Sequence, residues 1–231
     1  MYIYGKNVVE EAIKTHKKIG KAYIYENFND QLIITALEEN NIPILRKTKR
    51  QLDELVSGNH QGIIVTVPEF VYASIDEFLN KENALIMILD HLEDPHNLGA
   101  IVRTVEAAGV DGIIIPKDRS VEVNSTVMKV STGALEHVKI AQVTNLSRTM
   151  EELKKNGFWI VGTDMDGTPY DEIDYRGKIA IVIGNEGKGM SRIVSEKCDF
   201  IASIPMNGTT NSLNASVAAG IMIYGALRTR K

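Results

Sequence analysis

The hydrophobic pattern of the chain alternates between short apolar runs and segments whose apolar residues recur with helical spacing. The run 84–89 (ALIMIL) contains no polar position, which is typical of a strand buried on both faces of a parallel sheet. From residue 84 onward the pattern predicts strands at 84–89, 112–115, 138–141, 158–161, 179–183 and 201–204, and helices at 98–108, 125–130, 146–154, 191–197 and 213–228. Strands that alternate with helices in this way predict an α/β domain with a doubly wound parallel sheet over residues 84–231.

The first seventy residues show the same alternation on a smaller scale. Helices are predicted at 5–15, 29–40 and 51–56, and strands at 22–25, 42–45 and 62–67. This order predicts a small α/β/α domain over residues 1–70. Residues 71–83 have no strand pattern and only a weak helical one, so we assign them to a linker between the two domains.

Composition is that of an ordinary globular protein, with 44% apolar and 24% charged residues. No apolar run approaches the roughly 18 residues that a membrane span needs, and the first residues lack the pattern of a secretory signal. The single cysteine, Cys198, excludes an internal disulfide and favours a reducing, cytoplasmic location. The histidines show no ligand spacing with that cysteine, so we expect no metal site.

Charge is unevenly distributed along the chain. The net charge of −4 argues mildly against a nucleic-acid partner. Two basic clusters nevertheless lie in the first domain, formed by Lys14, Lys17 and Lys18 and by Arg46, Lys47, Lys49 and Arg50. Such clusters are either a solvated face or a surface that contacts phosphates, and the residues alone leave both interpretations open.

Three polar motifs follow predicted strands of the second domain, at 94–103, 183–191 and 204–216. Ligands of doubly wound sheets bind at the carboxyl ends of the strands, which is where these motifs fall. In the first motif we expect Asn97 to cap the following helix. Arg103, further along that helix, is either exposed to solvent or directed at an anion.

The second motif is rich in glycine, and its spacing is informative. G-x-x-G-x-G is neither the dinucleotide fingerprint nor a Walker A loop. Glu186 in its centre would repel a phosphate, so it favours a cationic or hydroxyl-bearing ligand. In the third motif Asn211 or Ser212 is predicted to cap the last helix. Asn214 and Ser216 then either add to that cap or face a ligand.

The three motifs together resemble a known family. NLGAIVRT, IGNEGKGMS and IPMNGTTNSLNASVA are similar to the signature motifs of the SpoU/TrmH family of RNA ribose 2′-O-methyltransferases, within the SPOUT superfamily. Residues 5–67, ending in HQGIIVTV, resemble the RNA-binding substrate domain of that family. EDPHNLGAIVRTVEAAGVDGIIIPKDRS and TNLSRTM are most similar to the branch that methylates guanosine in bacterial 23S rRNA.

The resemblance implies a fold, a cofactor and a partner. It implies a SPOUT domain with a trefoil knot near the C-terminus, S-adenosyl-L-methionine as cofactor, RNA as substrate and a homodimer formed through the SPOUT domain. The residues that it places at the cofactor are Gly184, Asn185, Ile204, Met206 and Leu213. Those that it places at the reaction are Asn97, Arg103, Glu186, Ser212 and Asn214. The basic clusters and His60 of the HQG turn are then expected to contact RNA.

Arg103 is the family's favoured candidate for activating the ribose hydroxyl. A guanidinium is a poor general base because its pKa lies above about 12. We therefore expect Arg103 to grip the phosphate next to the target ribose and to polarise the hydroxyl. Two alternatives to an rRNA methyltransferase remain at this point, a tRNA ribose 2′-O-methyltransferase and a non-catalytic RNA-binding factor in ribosome assembly.

Overall fold

A computed structural model describes residues 1–210 and 212–230 of the chain. The chain divides into two compact units, Met1–Val71 and Tyr72–Lys231. Of residues 71–83, which the sequence assigns to a linker, all but Val71 belong to the second unit, and some of them pack into it. Phe78 is fully buried in its core, and the backbone N–H of Ala73 donates to the carbonyl of Ile140 at 2.8 Å. Ile75 and Leu79 pack against the same core, but the apolar positions of this stretch are too few to give more than a weak helical signal in the sequence.

The first unit is a small mixed sheet with helices. Its elements are β1 (Tyr2–Tyr4), α1 (Lys6–Lys14), β2 (Ala22–Tyr25), α2 (Gln31–Glu39), β3 (Ile44–Lys47), α3 (Lys49–Asp53) and β4 (Ile63–Thr66). The sheet has the order β1-β4-β2-β3, with β2 and β3 parallel and the other pairs antiparallel. Strand β1 was not predicted, because three residues are too few to show an alternation. The α/β character predicted for this unit is confirmed.

The second unit alternates strands and helices as predicted. Its elements are α4 (Asp76–Leu79), β5 (Leu85–Leu89), α5 (Pro95–Ala108), β6 (Gly112–Pro116), α6 (Ser125–Ser131), β7 (Ile140–Val143), α7 (Leu146–Lys155), β8 (Phe158–Pro169), β9 (Lys178–Ile183), α8 (Arg192–Ser195), β10 (Phe200–Ser203) and α9 (Ala215–Thr229). Short 3₁₀ turns lie at Ala134–Glu136 and Tyr170–Glu172.

The sheet of the second unit is parallel throughout and has the order β10-β8-β9-β5-β6-β7. Strand β5 is buried at every position, as its continuous apolar run predicts. The chain builds β6 and β7 on one side of β5 and places β8, β9 and β10 on the other. The strand order therefore reverses next to β5, and a crevice at the carboxyl ends of the strands is expected there.

The structure corrects two predicted helix caps. Asp94, not Asn97, caps α5, because its carboxylate accepts the N–H of His96 at 2.8 Å and Pro95 occupies the first helical position. Asn214, not Ser212, caps α9, because its Oδ1 accepts the N–H of Ser216 at 2.9 Å. Asn211, the other predicted cap, lies outside the described residues. Over the described ranges, no helix has both the length and the apolar character that crossing a bilayer demands.

Candidate active site

A cavity of about 340 Å³ opens at the carboxyl ends of β9 and β10 and beside the middle of β8. The five residues that the family resemblance assigns to the cofactor all line it, namely Gly184, Asn185, Ile204, Met206 and Leu213. Glu186 and Ser212, from the set assigned to the reaction, line it as well. The second and third polar motifs therefore share one cavity.

One wall of the cavity was not anticipated from the sequence. Strand β8 was predicted to end at residue 161, but it continues to Pro169, and Thr163, Asp164 and Met165 of this extension line the cavity. The extension reads TDMDGTP, which contains no apolar run, so hydrophobic pattern alone could not find it. Its pairing with β10, which shifts register between Ile201 and Ala202, holds it in place.

The loop after β9 is compact and partly closed on itself; we call residues 184–191 the glycine loop. Asn185 and Gly189 exchange two backbone hydrogen bonds of 2.9 and 3.0 Å. The side-chain oxygen of Asn185 accepts the N–H groups of Gly187 and Lys188 at 3.0 and 3.3 Å. A Cβ added to Gly184 would lie 2.3 Å from backbone atoms of Gly189 and Met190, so this position has room for glycine only. Three glycines of the loop, Gly184, Gly187 and Gly189, line the cavity with backbone only.

A chain of side-chain hydrogen bonds connects all three motifs. The Nδ2 group of Asn97 donates to Glu186 Oε1 at 3.0 Å, and Nδ2 of Asn214 donates to Asn97 Oδ1 at 2.9 Å. Asn97 is only 5% exposed, so both of its polar ends need these partners. This series of hydrogen bonds holds the carboxylate of Glu186 at the cavity and connects it to the starts of α5 and α9.

Arg103 stands apart from this group. It lies on α5, is exposed and does not line the cavity, and its guanidinium has no hydrogen bond or ion pair among the described residues. The next residue, Thr104, faces α9, since a Cβ on Gly220 would lie 4.0 Å from its methyl group. A single chain therefore assembles Asn97, Glu186, Ser212 and Asn214 in one place without bringing Arg103 to them.

The basic residues assigned to RNA contact are mostly at the surface of the first unit. Lys14 and Arg50 form weak exposed ion pairs with Glu10 at 3.9 Å and Glu54 at 3.2 Å. Arg46 donates to the carbonyl of Glu26 at 2.7 Å. Among the other four, Lys18 and Lys49 are exposed, whereas Lys17 and Lys47 are half-buried. The cationic side chains of Lys18, Lys49 and Arg50 are therefore among those at the surface of the first unit.

His60 does not fit its assignment to RNA contact. It is 8% exposed, its Nδ1 accepts the N–H of Gly62 at 2.9 Å, and its Nε2 lies 3.0 Å from a carboxylate oxygen of Asp53. Both ring nitrogens are used within the unit. His60 therefore shapes the turn before β4, and we remove it from the set of RNA contacts. Across residues 1–210 and 212–230, no cluster of His, Cys, Asp and Glu is arranged to hold a metal ion.

Comparison with known proteins identifies the family. Residues 84–224 match the model of the SpoU rRNA Methylase family, and residues 2–73 match the model for RNA 2′-O ribose methyltransferase substrate binding. The chain is 45% identical, over 99% of its length and 96% of the relative, to YacO of Bacillus subtilis, which is named for TrmH family tRNA/rRNA methyltransferases. The chain therefore belongs to the SpoU/TrmH family, as its motifs predict.

Two solved structures illustrate the relationship. An rRNA methyltransferase from Sinorhizobium meliloti with bound S-adenosylmethionine has a TM-score of 0.76 at 24% identity, covering 98% of this chain and 86% of that chain. A TrmH/SpoU tRNA modifying enzyme from A. aeolicus has a TM-score of 0.58 at 34% identity, covering 66% and 79%. The protein is an RNA methyltransferase of that family, and the Sinorhizobium structure of the same fold contains S-adenosylmethionine. This excludes the alternative of a non-catalytic assembly factor.

The cavity fits that cofactor. Its volume of about 340 Å³ lies within the range of small-molecule sites. Ile204, Leu213 and Met206 supply apolar walls, and the bare backbone at Gly184 permits close approach. The carboxylate of Glu186 complements a positive charge. The lining thus combines apolar surface and backbone with two carboxylates opposite in sign to a sulfonium, those of Asp164 and Glu186, and with the ammonium group of Lys188.

Proposed function

We propose that the protein methylates the 2′-hydroxyl of a ribose in RNA, and that the ribose belongs to a guanosine of 23S rRNA. The observation that carries this proposal is the hydrogen-bonded chain Glu186–Asn97–Asn214, which joins the three motifs at the cavity. S-adenosylmethionine supplies a methyl group on a cationic sulfur. The residues that line the cavity include hydrogen-bonding groups, Glu186 and Ser212 among them, that can align an RNA hydroxyl with that methyl group.

The residues divide into two roles. Gly184, Ile204 and Leu213 would hold the cofactor through their backbone, with Asn185 and Met206 beside them. Glu186 and Ser212 would accept or donate hydrogen bonds to the ribose, because a carboxylate accepts and a hydroxyl does both. Asn97 and Asn214 would keep Glu186 in position from behind. Methyl transfer from a sulfonium moves positive charge off sulfur, so these groups need only orient the hydroxyl and take up its proton.

Arg103 completes the site in a homodimer formed through the second unit. Helix α9 carries exposed apolar side chains, with Val217 49% and Tyr224 53% exposed, as an unpaired dimer face would. Arg103 is on α5, which packs against α9, so it lies near that face. There its guanidinium can bind the phosphate beside the target ribose at a cavity of the dimer.

Two loops that follow β9 and β10 and share one cavity agree with the trefoil knot that the family resemblance implies.

The choice of rRNA over tRNA rests on the first unit. The neighbour named as an rRNA methyltransferase is similar across 98% of this chain, whereas the one named as a tRNA modifying enzyme covers 66%. The basic surface of the first unit, with Lys18, Lys49 and Arg50 exposed, would supply the phosphate contacts. A tRNA ribose remains the second candidate, since the name of the Bacillus relative includes both RNAs.

The free thiol of Cys198 is in keeping with a cytoplasmic location.

The experiment is to map 2′-O-methyl groups in total RNA from cells with and without the protein. We expect one methyl group to be missing from a guanosine of 23S rRNA and to return with the wild-type protein. A missing methyl group in tRNA would establish the second candidate, and an unchanged map would refute both.

Replacement of Arg103 tests its role within that proposal. We expect Arg103→Ala to lose the methyl group while it binds S-adenosylhomocysteine, measured by calorimetry, within about threefold of wild type, because Arg103 does not line the cavity. Arg148→Ala, which removes another exposed arginine on α7, is the matched control and should restore the methyl group. Full activity of Arg103→Ala would remove that residue from the mechanism.

A further inference from the structure

We infer that Asp90 and His91, the two residues directly after β5, are positioning residues that hold the glycine loop in its cofactor-binding shape. Neither residue lines the cavity, and neither lies in the three signature motifs. The inference rests on the proposed placement of the cofactor beside Gly184. It adds a set of residues that act on the cofactor through the loop.

Asp90 holds the end of the glycine loop. Its side chain is 1% exposed, and a carboxylate so deeply buried requires hydrogen-bond donors. One oxygen accepts the backbone N–H of Ser191 at 2.6 Å, and the other lies 2.6 Å from Nδ1 of His91. The N–H of Asp90 itself donates to the carbonyl of Ile183 at 2.8 Å, immediately before the loop. Asp90 thereby fixes the distance between the two ends of the loop.

His91 holds the start of the loop through its backbone. Its carbonyl accepts Nδ2 of Asn185 at 2.8 Å, while Oδ1 of the same Asn185 accepts the N–H groups inside the loop turn. His91 has φ of 57°, a left-handed conformation that is unfavourable for residues other than glycine. The bond between its imidazole and Asp90 holds it there. The left-handed turn is what directs the carbonyl at Asn185.

Two consecutive residues therefore hold both ends of a loop whose turn carries the backbone that faces the cofactor. A loop that is already in its bound shape loses little conformational entropy when the ligand binds. Loss of the Asp90–His91 support would leave the backbone at Gly184 and Asn185 to be ordered by the cofactor. The predicted consequence is weaker cofactor binding with unchanged RNA binding by the first unit.

The first test compares two substitutions of Asp90 by calorimetry with S-adenosylhomocysteine. Asp90→Ala removes the acceptor of the Ser191 N–H, and we expect affinity to fall by about 10- to 100-fold, the range for a lost hydrogen bond to a charged group. Asp90→Asn keeps one acceptor and should lose less. The matched control is Asp111→Ala, because the Asp111 carboxylate accepts the N–H of Leu85 at 2.8 Å at the opposite end of the same strand. It should lower thermal stability without changing the affinity.

The second test separates the backbone of His91 from its side chain. His91→Gly and His91→Val both delete the imidazole, but only glycine adopts a left-handed φ without strain, whereas a β-branched residue resists it. We expect His91→Gly to bind S-adenosylhomocysteine within about threefold of wild type and His91→Val to bind about tenfold more weakly. The two His91 variants also test the inference if Asp90→Ala does not fold.

The outcomes are distinct. Equal affinity of the two His91 variants, or an Asp90→Asn variant that binds like wild type together with an unaffected His91→Val, would overturn the inference. Failure of the wild-type protein to bind S-adenosylhomocysteine, or normal binding by Gly184→Ala, would instead refute the proposed placement of the cofactor. RNA affinity, measured in parallel, should stay unchanged in every variant. Thermal unfolding of each variant shows whether the second unit still folds.

Discussion

The two loops that form opposite walls of the cavity are built differently. The glycine loop has hydrogen bonds within its turn and bonds from Asp90 and His91 to both ends. The loop after β10, of which residues 204–210 and 212–213 are described, has no hydrogen bond of its own among those residues. It is held next to its ends, where Ser203 Oγ donates to the carbonyl of Gly167 at 3.0 Å and Asn214 caps α9. The glycine loop is therefore held by hydrogen bonds of its own, whereas the described part of the other loop is held by what flanks it.

The largest effect is expected from a substitution that adds a side chain to the glycine loop. Gly184→Ala would place a methyl group 2.3 Å from backbone atoms of Gly189 and Met190, and backbone cannot move aside as a side-chain end can. We expect affinity for S-adenosylhomocysteine to fall by roughly 100-fold or more, because such overpacking costs about 1–3 kcal/mol or more and distorts the loop. Calorimetry measures the loss, and thermal unfolding shows whether the variant still folds.

The matched control is the glycine of the other loop. A Cβ at Gly208 meets nothing within 4 Å, and Gly208 does not line the cavity. Gly208→Ala should therefore change stability by no more than about 0.5 kcal/mol and leave cofactor affinity nearly unchanged. Equal losses in the two variants would show that the walls do not differ in the way the hydrogen bonds indicate.

Asn97 connects the two walls, so its replacement gives the next largest effect. Asn97→Leu removes the donor to Glu186 and the acceptor for Asn214 and leaves buried polar groups unpaired. We expect a loss of about 1–3 kcal/mol in the free energy of unfolding and a loss of methyl transfer. Chemical denaturation and RNA methylation assays measure the two effects separately.

Asn97→Asp tests the same contact with Glu186 through the pH dependence of stability. It keeps an acceptor for Asn214 but places a second carboxylate beside Glu186, so at least one of the two pKa values should rise. The destabilisation should be largest near neutral pH and should shrink as the pH falls toward about 5, where one carboxyl becomes protonated and can donate. A destabilisation independent of pH would mean that Glu186 and residue 97 do not interact.

The sequence could predict much of this site because its signals are local. Apolar runs such as 84–89 and 179–183 place the strands, and a polar motif directly after a buried strand must lie at the carboxyl edge of the sheet. Gly184, Glu186 and Leu213 meet at one cavity for that reason. The family resemblance of the motifs added the chemistry, which periodicity does not contain.

The remaining features depend on contacts between distant residues. Asp94 and Asn97 are both good capping residues, and only Pro95 at the first helical position distinguishes them. The Asp90–Ser191 bond spans 101 positions, and no local pattern marks it. His60 resembles an exposed turn residue in sequence, but folding buries it against Asp53. The extension of β8 is polar in sequence, and residues 164–168 in it are exposed, so no apolar pattern marks it as a strand.

The smallest effect is expected for the thiol reactivity of Cys198. This reactivity reports directly on the glycine loop. Its thiol packs behind the glycine loop, since a Cβ on Gly162 would meet both Cys198 Sγ at 2.7 Å and Met190 Cε at 2.8 Å. Burial raises the pKa of this thiol from 9.0 to about 12. The neutral thiol therefore stabilises the fold fully below pH 9, and that contribution is lost as the pH rises from about 9 to 12.

The rate at which a thiol reagent labels Cys198 at pH 8 depends on this burial. The rate therefore tests whether the glycine loop has its bound shape without the ligand. We expect slow labelling in wild type, because a thiolate is required and the thiol is partly buried. Saturating S-adenosylhomocysteine should slow it by no more than about twofold, because a loop already in its bound shape gains little further order. Asp90→Ala should label faster, and there the ligand should protect strongly. Strong protection of the wild-type protein would mean that the glycine loop, too, takes its shape from the cofactor.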